Sequence, residues 1–144
     1  MQRIKIELPE HFSFTTSIPV RITDVNYGGH VGNDTVLSII HEARMQFLRH
    51  LGFSELDLGG TGIIMSDVGI QFKYELFYGD VVLASVAMGA LSKIAFDLYY
   101  KLEKESNGVK VPVAAAKTGM VCFDYERRKL VPMPEKVKSV LLRL

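Results

Sequence analysis

The spacing of apolar residues predicts a first strand, one long helix and then a series of strands. From about Phe12 to Ile22, apolar residues alternate with polar ones, which is typical of a strand with one buried face. Pro19 lacks a backbone N–H, so this strand is expected at a sheet edge or with an irregularity. The segment that follows, Asp24–Asn33, is rich in Gly, Asn and Asp and is predicted to form a loop.

A helical apolar spacing begins after this loop and continues to about Leu51. Asn33 or Asp34 is the expected N-cap, because short polar side chains accept hydrogen bonds from the first free N–H groups of a helix. Gly52 is expected to end the helix in a left-handed conformation, and Ser54–Leu58 to add one short turn. The residues predicted to face the core recur at spacings of three and four: Val36, Ile40, Ala43, Phe47 and Leu51, with Leu37 and Leu48 beside them.

The remainder of the chain has a strand pattern followed by a short helix. Four runs are rich in β-branched or aromatic residues: Ile63–Leu76, Val81–Ala90, Ala95–Lys104 and Lys110–Phe123. Glu135–Leu144 has a helical apolar spacing. A single long helix needs a broad apolar surface to pack on. We therefore predict one α+β domain, residues 1–144, in which a curved antiparallel sheet of about five strands wraps around one central helix.

Composition narrows the possible partners and compartment. The chain has 144 residues, 48% of them apolar, which suffices for a single buried core. Its formal net charge of +1 gives no electrostatic basis for binding nucleic acid or a membrane surface. No apolar run approaches the roughly 20 residues of a membrane span. The single cysteine, Cys122, lies in an apolar run and no leader segment is recognisable, so a cytoplasmic protein with a buried thiol is expected.

Polar groups suited to acyl chemistry concentrate in the predicted loop. Asp24, Asn26 and His30 supply a carboxylate, a carboxamide and an imidazole around the Gly28-Gly29 pair. The loop leads into the N-terminus of the long helix, where unpaired backbone N–H groups favour a developing oxyanion. The histidines lack the spacing of a zinc site, and no P-loop or dinucleotide fingerprint is present. Neither a metal nor a cofactor is therefore expected.

The segment Asp24–Asn33 resembles the D-x-D-x-x-G-H-V-x-N motif of hotdog-fold thioesterases of the 4-hydroxybenzoyl-CoA type, with Asn26 in place of the second acid. The resemblance continues along nearly the whole chain, in the order Glu42-Ala43-Arg44, Phe72–Asp80, Ser92-Lys93-Ile94 and Ala114–Asp124. It implies the hotdog fold and hydrolysis of an acyl-CoA thioester. It also implies a homodimer or homotetramer with active sites at the shared interface.

Two mechanisms are compatible with these residues. Asp24 would activate water, directly or through His30, while Asn26 would position that water. In the alternative, Asp24 itself attacks the thioester and forms an anhydride. The thioester carbonyl would be polarised by backbone N–H groups from Gly29 to Val31. Asp34 is the second candidate for the base, and a purely structural role for Asp24 in its loop is equally open.

Substrate contacts are predicted around the same loop. The Gly28-Gly29 pair permits close approach of a pantetheine chain. The acyl tail is expected between the helix and the sheet, beside Met45, Phe47, Leu51 and the Phe72–Tyr78 run. Lys93 is the first candidate for the nucleotide phosphates and Lys73 the second. The complete set of predicted substrate contacts is Gly28, Gly29, Val31, Asn33, Asp34, Lys73 and Lys93.

The sequence leaves the acyl group open, and coenzyme A and acyl-carrier-protein thioesters are both compatible with it. The principal alternative is a non-catalytic protein that binds an acyl ligand, because Asn26 replaces the usual second acid. A hotdog dehydratase is disfavoured, since His11-Phe12-Ser13 departs at once from the His-Phe-Pro-Gly segment that those enzymes commonly carry.

Overall fold

A computed structural model describes residues 1–144. The strands are β1 (Phe14–Pro19), β2 (Gly62–Phe72), β3 (Val81–Leu91), β4 (Ala95–Ser106), β5 (Val109–Asp124) and β6 (Lys129–Leu130), and the helices are α1 (Asn33–His50) and α2 (Glu135–Leu142). The predicted α+β class, with one long helix against an antiparallel sheet, is confirmed, whereas the two-residue strand β6 was not predicted. Neither helix has the length and apolar character that crossing a membrane requires.

The sheet has the order β1-β3-β4-β5-β2, and neighbouring strands pair antiparallel. β1 is therefore an edge strand, and Pro19 is its last residue. The expectation for Pro19 is confirmed, because a missing N–H is tolerated at a sheet edge. β2 forms the opposite edge, while β6 pairs with Phe123 and Asp124 of β5 on the side that β4 occupies, beyond the start of β4 at Ala95.

The core lies between α1 and the inner face of the sheet. Within the predicted stripe of α1, Val36, Ile40, Ala43, Phe47 and Leu48 are buried, while Leu37 and Leu51 are half-buried. The expectation that Ile22 shares the buried face of the first strand is wrong, because Ile22 is 68% exposed. The strand ends at Pro19, and Ile22–Asp24 forms a short 3-10 helix that changes the direction of the side chains.

The two ends of α1 differ in how well the sequence predicts them. Its N-cap is Gly32 and no side chain caps it, so the prediction of Asn33 or Asp34 as N-cap is wrong. At the other end Gly52 has a φ of 86°, as predicted. The N–H groups of Gly52 and Phe53 donate to the carbonyls of Arg49 (2.9 Å) and Leu48 (2.8 Å), which closes a Schellman motif.

In two segments the structure is less regular than the sequence predicts. Ser54–Leu58 does not add a helical turn, since the Glu55 carbonyl accepts a hydrogen bond from Ile63 N (2.8 Å) instead. β2 ends at Phe72 rather than at Leu76. There, the N–H groups of Lys73 (2.9 Å) and Tyr74 (3.1 Å) both donate to the Val113 carbonyl, at a position where β5 is irregular. This convergence turns the chain out of the sheet and towards the start of α1.

An N-terminal strap, residues 6–12, crosses the outer face of the sheet. At β2, the Ile6 N–H donates to Gln71 Oε1 (3.2 Å). At β4, Lys101 Nζ lies 4.6 Å from the centre of the Phe12 ring. The strap follows a cross-strand row that includes Thr15, Ser85, Lys101, Ala115 and Gln71. Ser85 and Ala115 are buried although they face outwards.

Candidate functional site

The loop between β1 and α1 is a small hairpin docked on the segment after β2. Val25 and Val31 form an isolated antiparallel bridge, and Asn26 N donates to the His30 carbonyl (3.0 Å). A second bridge joins His30 to Phe77, beside a hydrogen bond from Val31 N to the Leu76 carbonyl (2.8 Å). The position of His30 therefore depends on a segment more than forty residues later in the chain.

Asp24 lies apart from the other two predicted catalytic residues. Its carboxylate accepts hydrogen bonds from the backbone N of Arg21 (2.8 Å) and from the Arg21 guanidinium (3.3 Å). It is buried and lines a cleft of about 380 Å³ between β1 and α1, with His41 and Glu42. Asp24 and His30 make no hydrogen bond to each other within the chain, because the 3-10 helix turns the carboxylate back onto Arg21.

Asn26, His30 and Asp34 are the side chains that the fold brings together. Asn26 Oδ1 accepts a hydrogen bond from Gly28 N (2.9 Å), and His30 Nδ1 lies 3.2 Å from the Val31 carbonyl. A Cβ placed on Gly28 would lie 3.3 Å from both Asn26 Oδ1 and His30 Nε2.

Gly32 separates Asn26 from Asp34. A Cβ placed on Gly32 would lie 2.6 Å from Asp34 Oδ1 and 3.6 Å from Asn26 Nδ2. Asp34 is exposed and makes no hydrogen bond or ion pair within the chain. A free carboxylate therefore stands close to the position where the family motif places its second acid.

The backbone donors of the loop differ from the expectation. Gly29 N donates to the Asn26 carbonyl (3.1 Å) and Val31 N to the Leu76 carbonyl (2.8 Å), so two of the three donors assigned to an oxyanion are already used. The hairpin itself uses the Gly29 donor, and the segment after β2 uses the Val31 donor. Asn33 and Asp34 begin an uncapped helix, and their N–H groups have no acceptor within the chain. The available donors are therefore His30 N and, one turn further along the chain, the N–H groups of Asn33 and Asp34.

Asn33, the first residue of α1, lines a cleft of about 230 Å³. It is lined by His30, Val31, Asn33, Val36 and Leu76, together with Phe72, Lys73, Tyr74 and Glu75. The sequence placed the Phe72–Tyr78 run beside the acyl tail but treated its first part as strand, so Phe72, Tyr74 and Glu75 were not singled out as residues of this cleft. The signal that could have found them is the Gly79-Asp80 turn, which brings the chain back to the sheet immediately afterwards.

The two candidate lysines lie at opposite ends of the sheet. Lys73 is exposed and lines the His30 cleft. Lys93 lies in the turn between β3 and β4, and its carbonyl accepts a hydrogen bond from Met133 N (2.8 Å). The eleven residues of β3 correspond to about 35 Å of extended chain. A single chain therefore does not bring Lys93 to the cleft.

The predicted path of an acyl tail between α1 and the sheet is largely filled. Phe47 is fully buried in the core, and Met45 lines the other cleft, beside Asp24. Leu51 is half-buried against the core. The helix packs too closely on the sheet at Phe47 for this path, and the aromatic residues Phe72 and Tyr74 line the His30 cleft instead.

A buried polar cluster links the middle of α1 to the sheet. Arg44 donates to Glu55 Oε1 (3.0 Å) and to the Tyr100 hydroxyl (3.3 Å), which also lies 2.8 Å from Thr118 Oγ1. Burial opposes the charge of Arg44, but Tyr100 and Glu55 outweigh it and hold the Arg44 pKa above its ordinary value. Burial raises the pKa of Tyr100, so its hydroxyl stays protonated. No group of three or more His, Cys, Asp or Glu side chains is arranged to hold a metal ion.

Known proteins with similar sequences cover most of the chain. Residues 20–141 match the family described as the Thioesterase-like superfamily. A 1,4-dihydroxy-2-naphthoyl-CoA hydrolase of Microcystis aeruginosa is 31% identical over 125 residues, which are 85% of this chain and 88% of that protein. A putative esterase of Aquifex aeolicus is 27% identical over 124 residues, 85% of this chain and 92% of that protein.

Solved structures share the fold over nearly its whole length. A 1,4-dihydroxy-2-naphthoyl-CoA thioesterase from Synechocystis superposes with a TM-score of 0.80 at 23% identity, covering 91% of this chain and 96% of that one. A mutant 4-hydroxybenzoyl-CoA thioesterase complexed with 4-hydroxybenzoyl-CoA gives a TM-score of 0.80 at 15% identity, covering 89% and 97%. At such identities the two structures establish the hotdog fold.

Proposed function

Because the chain belongs to the Thioesterase-like superfamily and is a thioester hydrolase, we propose that it cleaves aryl-CoA thioesters at the His30 cleft. The observation that carries this proposal is the uncapped N-terminus of α1, whose first residue Asn33 lines that cleft together with His30, while Asn26 and Asp34 lie close to it beside Gly32. The exposed N–H groups at this helix start bind water in the free protein and are available to a ligand that replaces that water.

The thioester carbonyl oxygen is placed against the N–H groups of Asn33 and Asp34. These donors have no partner in the chain and point along the axis of α1, whose dipole favours negative charge at this end. Both features stabilise the oxyanion that forms when the carbonyl carbon is attacked.

Asp34 is our first candidate for the general base. Water bound by the Asn26 carboxamide gives a proton to the Asp34 carboxylate as its oxygen adds to the carbonyl carbon. Collapse of the tetrahedral intermediate breaks the carbon–sulfur bond and expels the coenzyme A thiolate, which His30 protonates. Asp24 becomes the second candidate, because its carboxylate is held by Arg21 in the neighbouring cleft.

The lining of the cleft supports an aryl group over a long alkyl chain. Phe72 and Tyr74 place aromatic rings in a lining that also contains Val36 and Leu76, and an aryl group stacks favourably on aromatic rings. The names of the relatives agree, since the hydrolase of Microcystis aeruginosa and the Synechocystis thioesterase act on 1,4-dihydroxy-2-naphthoyl-CoA. The pantetheine arm leaves past Gly28 and Gly29.

The site is completed by a second copy of the chain. β2 is a long edge strand that is free beyond Ile63, and its side chains include the exposed apolar residues Val68 and Phe72. Antiparallel pairing of two β2 edges places the Phe72 end of one strand against the Gly62 end of the other.

This pairing also brings Lys93, which lies far from the cleft of its own chain, to the cleft of the partner. The turn that carries Lys93 lies at the Gly62 end of the sheet, since Ala95 pairs with Val121, which pairs with Ile64. The partner's Lys93 then lies at the same end as the His30 cleft. We propose that Lys73 of one copy and the partner's Lys93 contact the nucleotide phosphates.

The test of the function is thiol release from a panel of aryl-CoA, straight-chain acyl-CoA and acyl-carrier-protein thioesters. We expect turnover to be highest for aryl-CoA. Absence of turnover with every member contradicts the enzyme. Coenzyme A thioesters that raise the melting temperature and are recovered intact identify the alternative, a protein that only binds its ligand.

The phosphate contacts are tested separately. Lys93→Ala and Lys73→Ala should raise KM for the aryl-CoA and leave KM for an aryl thioester that lacks the nucleotide unchanged. An equal loss on both substrates would mean that the lysine acts on folding instead.

A further inference from the structure

Lys104 is a charged residue on the buried side of a strand. Along β4 the inward positions are Leu98, Tyr100 and Leu102, and Lys104 continues this alternation. Its side chain is only 8% exposed. A lysine is rarely buried to this degree unless its ammonium group is fully engaged.

Every contact of the Lys104 ammonium group goes to one segment, residues 74–80. Nζ donates to the Glu75 carbonyl (2.8 Å) and to Asp80 Oδ2 (3.0 Å). It also lies over the rings of Tyr74 (5.2 Å) and Phe77 (5.1 Å). Asp80 Oδ2 additionally accepts a hydrogen bond from Phe77 N (2.8 Å), so the segment folds around the ammonium group.

The same segment holds the functional loop. Val31 N donates to the Leu76 carbonyl (2.8 Å), His30 bridges to Phe77, and Val20 N donates to the Asp80 carbonyl (2.9 Å). Its other side chains provide little burial of their own, since Tyr74, Phe77 and Tyr78 are 60%, 41% and 65% exposed, whereas Leu76 is buried. Lys104 therefore makes the main side-chain contacts that hold residues 74–80 against the sheet, since Leu76 is the one apolar side chain of the segment that is buried.

We infer that Lys104 is a positioning residue for the His30 cleft, acting through residues 74–80. Its ammonium group fixes the backbone of Glu75 and the ring of Phe77, and these fix the wall of the cleft and the bridge to His30. This role rests on the proposed function. It assigns the lysine to the geometry of the site and not to contact with the substrate.

The experiment compares Lys104→Met and Lys104→Arg with a matched control on the same strand. Lys101→Met is suitable, because Lys101 lies on β4 but faces the strap on the outer side of the sheet. Amide hydrogen exchange at Val31 and the NMR titration of the His30 ring are measured on the free protein. Values of kcat and KM are measured on an aryl-CoA.

For Lys104→Met we expect faster exchange at Val31, a changed His30 titration and a loss in kcat/KM of about tenfold to a hundredfold, the range for a misplaced catalytic group. Lys104→Arg should recover part of each effect, and Lys101→Met should leave all three unchanged. Unchanged exchange and titration in folded Lys104→Met overturn the inference.

A second variant covers the case in which Lys104→Met does not fold. Asp80→Asn keeps an acceptor for Phe77 N but removes the charge that pairs with Lys104. It should also accelerate exchange at Val31, and normal exchange there overturns the inference. Exchange and titration need no substrate, so a wild-type protein without turnover would reject the proposed function and still leave the role of Lys104 decided.

Discussion

Two aspartates ten residues apart have opposite surroundings. Asp24 is buried and accepts hydrogen bonds from Arg21, whereas Asp34 is exposed and without a partner in the chain. A carboxylate that is already paired stabilises its loop, and a free one at a helix start can take a proton from water. The family motif alone favoured Asp24, and the local geometry favours Asp34.

Matched substitutions separate these roles. Asp34→Asn should lower kcat by about a hundredfold or more, because a general base typically contributes that much, with little change in thermal stability. Asp24→Asn should lower the melting temperature and affect kcat less. Steady-state kinetics and thermal unfolding on both variants provide the measurement. If Asp24→Asn lowers kcat more than Asp34→Asn does, Asp24 and not Asp34 is the general base.

Alkaline pH should destabilise the protein through two buried acids. Burial raises the pKa of the Cys122 thiol and of the Tyr100 hydroxyl. The unfolded chain therefore releases these protons at lower pH than the folded chain does. The stabilisation is complete below the ordinary thiol pKa of about 8.5 and is lost as pH rises above it.

The measurement is the melting temperature as a function of pH, followed by circular dichroism. Wild-type protein should lose stability from about pH 8.5 upwards, with tyrosine contributing above about pH 10. Cys122→Ala should be less stable overall but should flatten the lower part of this decline. An identical slope in the variant would show that the thiol does not contribute.

At the scale of elements, the Arg44 cluster fastens α1 to β4 and to the segment before β2. Arg44 is 5% exposed and Glu55 22% exposed in their side chains. Glu55→Gln leaves a buried guanidinium without its counter-charge, so we expect a loss of about 2–3 kcal/mol in the free energy of unfolding, below the 3–5 typical of a fully buried pair. Urea unfolding measures it.

The control for this substitution is Glu42→Gln, which lies on the exposed face of the same helix. It should change the free energy of unfolding by no more than about 0.5 kcal/mol. Replacing both members, as Arg44→Met with Glu55→Gln, should recover part of the loss. Equal effects of Glu42→Gln and Glu55→Gln would contradict the buried pair.

Periodic segments were predictable and segments fixed by distant contacts were not. α1 and the strands β3 to β5 follow from their apolar spacing, and Gly52 follows from its backbone freedom. The end of β2 depends on Val113, a residue some forty positions away, so the aromatic pattern after Phe72 was mistaken for more strand.

The candidate site was predictable by segment but not by contact. The loop with Asn26 and His30 does lie at the start of α1. The Val31 N–H is used because it bonds to the distant Leu76 carbonyl, and the first N–H groups of α1 stay free because the N-cap is Gly32, which has no side chain to accept them. Neither fact can be read from the local sequence pattern. The sequence did not identify Lys104 as a buried residue. A charged residue that follows a run of alternating apolar residues in a strand normally marks the point where the side chains become exposed.

At the scale of the whole molecule, the β2 edge predicts how copies associate. Val68 is 40% exposed on that edge, and a charge there should oppose strand pairing. Val68→Lys should sediment as a monomer at micromolar concentration and lose turnover, because we propose that a second copy completes the site. Val109→Lys, which changes a 64% exposed residue at the start of β5, should remain dimeric and active.

A monomeric wild-type protein, or a Val68→Lys variant that still associates, would contradict pairing through β2. Sedimentation velocity distinguishes these cases, and the thiol-release assay on the same samples tests whether association and turnover fall together.

The strap has a consequence for the order in which the chain folds. Ile6 and Gln71 are 65 positions apart, and the row beneath the strap is assembled from β1, β3, β4, β5 and β2. The strap contacts β2 and β4, which are joined through β5, so its surface exists only after these strands have paired, and it docks after them and is released before them. Limited proteolysis should cut within residues 6–12 before any strand. A segment that precedes every strand in the chain is then the last to find its place.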